Sequence, residues 1–157
     1  MKIRNYRVKD TEQIASLIKT TFLKYNGSEG GRESVEKYVD RHSRERLPEL
    51  TDMLKKDDIL FVAEDHGGVV GIVRGNENRV FQLFVDGKYH GQGLGRMLME
   101  RFEQIARRMG SKLINLRSSL YAVPFYEHLG YKKTTGVRTF KKRFGDIKYQ
   151  PMRKELK

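Results

Sequence analysis

Twelve residues in the middle of the chain constrain it most: Val85-Asp-Gly-Lys-Tyr-His-Gly-Gln-Gly-Leu-Gly-Arg96. They leave a run rich in apolar residues, pass glycines at alternate positions 91, 93 and 95, and enter a segment of helical period. Leu94, Met97, Leu98, Phe102, Ile105, Ala106 and Met109 recur on one helical face, which Gly110 closes. Glycine permits tight turns and lets N–H groups approach a ligand with no Cβ in the way. A helix N-terminus behind it adds unpaired donors and the positive end of a dipole. Such a loop can hold an anion, and a pyrophosphate fits it, with Arg96 adding charge at the rim. The plain alternative is a glycine turn that only lets the helix pack on a sheet.

Two phosphate-binding folds fit badly. A Walker loop needs Gly-Lys-Ser/Thr before its helix, and that triplet does not occur. A Rossmann turn needs a βαβ unit and an acidic residue about 20 positions on. Here the preceding strands read as antiparallel and the next strand ends Asn115-Leu-Arg117. Ile59 to Ala63, Val69 to Arg74 and Arg79 to Val85 are short strands joined by glycine-bearing turns, an antiparallel meander.

Ahead of the meander lie a strand near Ile3 to Tyr6 and a helix carrying Ile14, Leu17, Ile18 and Leu23. Asp10 or Thr11 can cap that helix, with Gln13 as a weak capping box, and Asn26-Gly27 stops it. Residues 28 to 57 predict one or two short helices broken near Pro48. After the loop helix come a strand at Leu113 to Leu116, a short helix from Tyr121 to Leu129 closed by Gly130, and one or two strands, the last near Ile147 to Met152. This order predicts one domain over residues 1–157, a mixed α/β fold with a largely antiparallel central sheet flanked by helices.

Composition removes several chemistries. Without cysteine there are no disulfides, thiolate nucleophiles or cysteine-held zinc. His42, His66, His90 and His128 lack metal-ligand spacing, so no metal is expected. No apolar run approaches the ~20 residues of a membrane-spanning helix, and the start lacks the apolar region of a signal peptide. A cytoplasmic protein without a membrane partner is expected. With 32 Lys and Arg against 20 Asp and Glu, the charge of +12 attracts nucleic acid, acidic membrane or a polyphosphorylated small molecule. Most of the late basic residues read as a solvated face.

The loop with its strand and helix resembles the acetyl-CoA-binding motif of the GNAT N-acetyltransferase superfamily, Gln/Arg-x-x-Gly-x-Gly/Ala, here His90-Gly-Gln-Gly-Leu-Gly95. Ser118-Ser-Leu-Tyr-Ala-Val-Pro-Phe-Tyr-Glu-His-Leu-Gly-Tyr131 is similar to the family's second signature, and Tyr149 to Leu156 to a common last strand. Two separated motifs in the right order are more specific than the loop. The resemblance runs from about Ile59 to the end, and through the first third by element order only.

It implies the GNAT acyl-CoA N-acyltransferase fold, acetyl-CoA as co-substrate, and transfer to a primary amine of a small molecule or protein. Phe84 and Val85 would lie where the fourth strand splays from the fifth and meets the pantetheine arm. His90, Gly91, Gln92, Gly93, Leu94 and Gly95 would wrap the pyrophosphate with backbone N–H groups, with Arg96 at the rim. Ser119 would occupy a cofactor-touching position often held by Asn. His90 departs from the usual Gln or Arg, which makes a side-chain contact weaker and pH-dependent. Tyr126 stands at the family's general-acid position, with Tyr121 a weaker substitute; by pattern alone Tyr126 is a core aromatic. Many relatives carry Glu on the fourth strand, where this chain has Gln82, so no base is assigned. Glu29, Glu33, Glu36 and Asp40 can face a cationic acceptor or simply line a solvated helix. The missing Glu and the basic charge keep a second expectation: a non-catalytic acyl-CoA sensor, or a module docking its basic face on nucleic acid. Nucleic acid ranks below the amine acceptor as a partner, and the family's habit of pairing leaves a homodimer open.

Overall fold

Alternation and helical period sort the chain into layers. A computed structural model describes residues 1–157. β1 (Lys2–Asn5) leads into α1 (Thr11–Asn26), α2 (Arg32–Asp40) and α3 (Leu47–Lys55). The meander comes next as β2 (Ile59–Asp65), β3 (Gly68–Asn76) and β4 (Arg79–Val85). Then come α4 (Leu94–Arg108), β5 (Leu113–Ser118), α5 (Val123–His128), β6 (Lys132–Lys133), β7 (Arg138–Lys141) and β8 (Gly145–Glu155). The sheet order is β1-β2-β3-β4-β5-β8-β6, with β7 paired to the other end of β8. Every pairing is antiparallel except β4 with β5. The fold is mixed α/β with a mostly antiparallel sheet, as the element order predicts.

Each face of the sheet has its own core. Ile14, Ala15, Leu17 and Ile18 of α1 and Leu50 and Leu54 of α3 bury Val62 and Ile72 on one face. Leu94, Leu98, Met99, Phe102 and Ala106 of α4 bury Phe61, Ala63, Val73, Val80 and Val85 on the other. Burial of one such side chain is worth about 1.5–3 kcal/mol, so the two stripes fix which face each helix covers. The α4 stripe is rotated from the predicted one. Met97 and Met109 stand exposed, while Glu103 is buried and accepts from Lys154 (2.8 and 3.0 Å) and the Tyr131 hydroxyl (3.0 Å).

Several local expectations resolve differently. The Asp10 carboxylate accepts from Arg4 and from the Arg7 N–H (2.7 Å) instead of capping α1. Gln13 Oε1 accepts the Val69 N–H at 2.8 Å and ties α1 to β3, so there is no capping box. Pro48 opens α3 rather than breaking a helix, since the first turn has no use for its missing N–H. Leu23 is half exposed in the last turn of α1.

Candidate active site

Two parallel strands that part company make the cleft. β4 pairs with β5 only at Arg79 with Asn115 and Val80 with Leu116. Beyond Val80 the strands diverge while β4 stays paired to β3 through Val85. The Asp86 N–H bonds the Val70 carbonyl at 2.9 Å, so by alternation the backbone groups of Leu83 and Val85 face the opening. The cleft has a volume of about 1200 Å³ and is lined by Phe84, Val85, His90, Gly91, Gly93, Leu94, Gly95, Arg96, Ser119 and Tyr126. Gln92 is the one predicted residue off that lining; its side-chain amide donates to the Lys88 carbonyl at 2.8 Å and braces the loop.

The three glycines serve two purposes. Gly91 and Gly93 adopt φ of 73° and 83°, the left-handed region that penalises a Cβ. Gly95 is needed for space, because a Cβ there would stand 3.1 Å from the Phe125 ring of α5. Gly93 is the N-cap of α4 and provides no side-chain cap. The N–H groups of Gly91, Gly93, Leu94, Gly95 and Arg96 consequently have no hydrogen-bond partner in the protein. Five amides converging at a helix start fit a pyrophosphate. The Leu94 side chain is buried under the loop, and Arg96 lies out on the surface beside Glu100 (3.3 Å). His90 turns inward. Its Nε2 lies 2.7 Å from the Val85 carbonyl, an acceptor, so Nε2 carries the proton and the ring occupies that one carbonyl, leaving the Leu83 groups and the Val85 N–H to the opening.

Tyr126 is buried on α5, stacked edge-on to Phe125 and Tyr131, and burial pushes its phenol well above the ordinary range. Its hydroxyl has no partner in the protein and borders the cleft, which leaves a protonated donor there. Ser119 Oγ accepts the Ala122 N–H at 3.2 Å, shaping the turn into α5. Tyr121 is exposed and stacks on Tyr25, which also stacks on His90.

Sequence reasoning missed the other end. Glu29 is neither on a solvated helix face nor available to a cationic acceptor. It is buried, accepting the Leu120 N–H (2.7 Å), the Tyr121 N–H (3.2 Å) and the Asn26 side-chain amide (3.1 Å). Its two backbone partners lie 91 and 92 positions away, beyond any local pattern. Gln82 accepts from Arg74 and donates to the Tyr38 hydroxyl, both at 3.0 Å. Arg74 is buried and bidentate to Asp57 at 2.6 and 2.9 Å. Burial pushes the Tyr38 phenol up to about 12 and the His42 imidazole down to about 4. His42 Nδ1 donates to the Tyr38 carbonyl at 3.0 Å, and the ring borders the cleft.

The parted β4–β5 pair and the unpartnered amides at the start of α4 thus border one cleft. The family model described as Acetyltransferase (GNAT) domain matches residues 27–156, and the chain belongs to that family. Human N-acetyltransferase 8B is 31% identical over 113 residues, covering 62% of this chain and 50% of that protein. The chain spans about half the length of curated relatives such as this one. In fold it is similar to a GCN5-related N-acetyltransferase from Rhodopseudomonas palustris, with a TM-score of 0.88, 18% identity, and coverage of 99% of this chain and 95% of the other. It is also similar to the PaiA N-acetyltransferase of Thermoplasma acidophilum in complex with coenzyme A, with a TM-score of 0.75, 17% identity, and coverage of 99% and 98%. No helix of the chain is long and apolar enough to cross a membrane.

Proposed function

We propose that this chain is an acetyl-CoA-dependent N-acetyltransferase that moves the acetyl group directly to a primary amine and releases CoA. The observation that carries the reading is one cleft with three parts: unpartnered loop amides, the exposed edge of β4 and the unpartnered Tyr126 hydroxyl. Bound acetyl-CoA supplies an activated acetyl thioester. The loop amides from Gly91 to Arg96 hold its pyrophosphate, and the Leu83 and Val85 edge pairs with its amide-rich arm as an added strand would. A β4 N–H facing the opening stabilises the negative charge that develops on the carbonyl oxygen.

The amine has to attack in its neutral form, although a lysine-like amine has a pKa of ~10.4. Arg41 borders the same cleft without a counter-ion, and a like charge nearby favours loss of the ammonium proton. His42 is held neutral with Nε2 as an acceptor and Gln82 is fixed by two partners, so both can orient the amine N–H. The nitrogen forms the new C–N bond as the C–S bond breaks. Tyr126 gives its proton to the departing sulfur and regains one as the amine's surplus proton leaves, so amine and acetyl-CoA become amide and CoA. The proposal includes a cytoplasmic setting and a single domain over residues 1–157.

A thermal-shift titration with acetyl-CoA, against NADH, ATP and a short DNA duplex, tests it. A ligand at 100 times its dissociation constant stabilises the native state by ~2.7 kcal/mol. The expected result is a shift specific to acetyl-CoA, followed by amine-dependent CoA release. A shift with DNA alone would return the loop to a packing role and move the function to the basic face.

A further inference from the structure

The end of the cleft away from the glycine loop is cationic and short of counter-charge. Arg41 and Arg143 both stand over the Phe144 ring, at 5.0 and 5.6 Å. Arg117 stands over Tyr149 and Phe140, at 5.0 and 5.7 Å. None of the three guanidinium groups has an ion-pair or hydrogen-bond partner in the protein, and all three border the cleft. The carboxylates there are already spent: Asp57 on Arg74, Glu49 on Arg46, and Glu29 on backbone N–H groups. Burial, with Arg41, Arg74 and Arg117 close by, pulls the Arg143 guanidinium below its ordinary range.

Like charges gathered without partners repel one another, so a bound anion stabilises a cluster of this kind. Stacking on aromatic rings presents each planar fork ready for carboxylate or phosphate oxygens. The cluster gathers around Tyr38: Phe144, beneath Arg41 and Arg143, packs edge-on to Tyr38 at 5.0 Å and to Phe140, beneath Arg117, at 5.7 Å. Tyr38 accepts from Gln82, which precedes Val85 by three residues, about 10 Å of strand, and the glycine loop begins only after Val85.

We infer that the acceptor amine carries its own anionic group, a carboxylate or a phosphate, which Arg41, Arg117 and Arg143 hold while the amine reaches the thioester. The inference rests on the acetyltransferase reading and names its substrate class. A polycationic acceptor would meet four guanidinium groups and no free carboxylate in this part of the cleft.

Calorimetry on the protein saturated with CoA, which fills the loop, tests it with O-phosphoethanolamine, β-alanine, ethanolamine and putrescine. The anionic amines should bind at least tenfold more tightly than ethanolamine, and putrescine should not bind. The stronger of the first two identifies phosphate or carboxylate as the preferred anion. Arg117→Gln and Arg143→Gln, both at exposed side chains, should each weaken the anionic amines about tenfold and leave ethanolamine unchanged. In turnover they should raise KM for the anionic amine with kcat nearly constant. Putrescine or ethanolamine binding as well as the anionic amines would overturn the inference, as would absent binding of all four or two silent substitutions. Anionic amines bound in the expected order, with no CoA released from acetyl-CoA by any amine, would remove the transferase reading and leave the anion site standing.

Discussion

The two ends of the cleft are built from different material. At the loop end the unpartnered groups are backbone amides, set by glycine conformation and the start of α4 within six consecutive residues. At the far end the groups lining the cleft are side chains from α2, β3, β4, β5 and the β7–β8 hairpin, held by aromatic stacking and by the Arg74–Asp57 pair. A backbone site tolerates most side-chain changes and fails when φ changes. A side-chain site fails when one buried partner is lost.

The strongest test of that contrast is Asp57→Asn. Leaving Arg74 buried without its counter-ion should cost about 3–5 kcal/mol of stability, measured by urea unfolding. A loss under 1 kcal/mol would mean that Gln82 and solvent satisfy Arg74 unaided. Next comes Tyr126→Phe, which removes the unpartnered hydroxyl and keeps the packing. General acid catalysis contributes about 10²–10⁴-fold, so kcat should fall at least a hundredfold while acetyl-CoA affinity stays within twofold. Unchanged turnover would leave Tyr126 as core.

His42 gives the far end a pH signature. Burial holds its pKa at about 4 in the folded chain, below the ordinary value of 6.5. As pH falls below 6.5 the unfolded chain takes up a proton that the folded chain refuses, so stability drops, and the loss continues until pH nears 4. Between pH 8 and pH 5 the expected loss from this group is about 2 kcal/mol, and His42→Gln should flatten that part of the profile. An identical profile in the variant would place the titration elsewhere. The smallest effect is expected at the loop. Gly93→Ala forces a Cβ into left-handed backbone at about 1–2 kcal/mol with open space around it, so acetyl-CoA affinity should fall about tenfold with kcat for a saturating amine preserved.

The legible parts of the molecule are the ones encoded locally. The meander, the loop and α4 arise from alternation, glycine spacing and a 3.6-residue period, all within a few neighbours of each residue. Pro48 and Gln13 escape that kind of reading because their neighbours decide their roles: a first helical turn for one, the β3 backbone for the other. Glu29 resembles any acidic residue after a helix, since a carboxylate that accepts amides 91 and 92 positions away leaves no mark nearby. Glu103 is similar. On an amphipathic helix a charged residue reads as solvent-facing until Tyr131 and Lys154 arrive from 28 and 51 positions along the chain.

By itself the sequence determined the mixed α/β order, the glycine loop ahead of α4 and the family resemblance, because glycine geometry and periodic burial act over short stretches of chain. Only the tertiary structure decided the character of the far end of the cleft. The same carboxylates and guanidinium groups could have made a basic surface or an acidic pocket. Folding buried or paired the cleft's carboxylates and left Arg41, Arg117 and Arg143 without partners, because long-range packing decides which charges are matched.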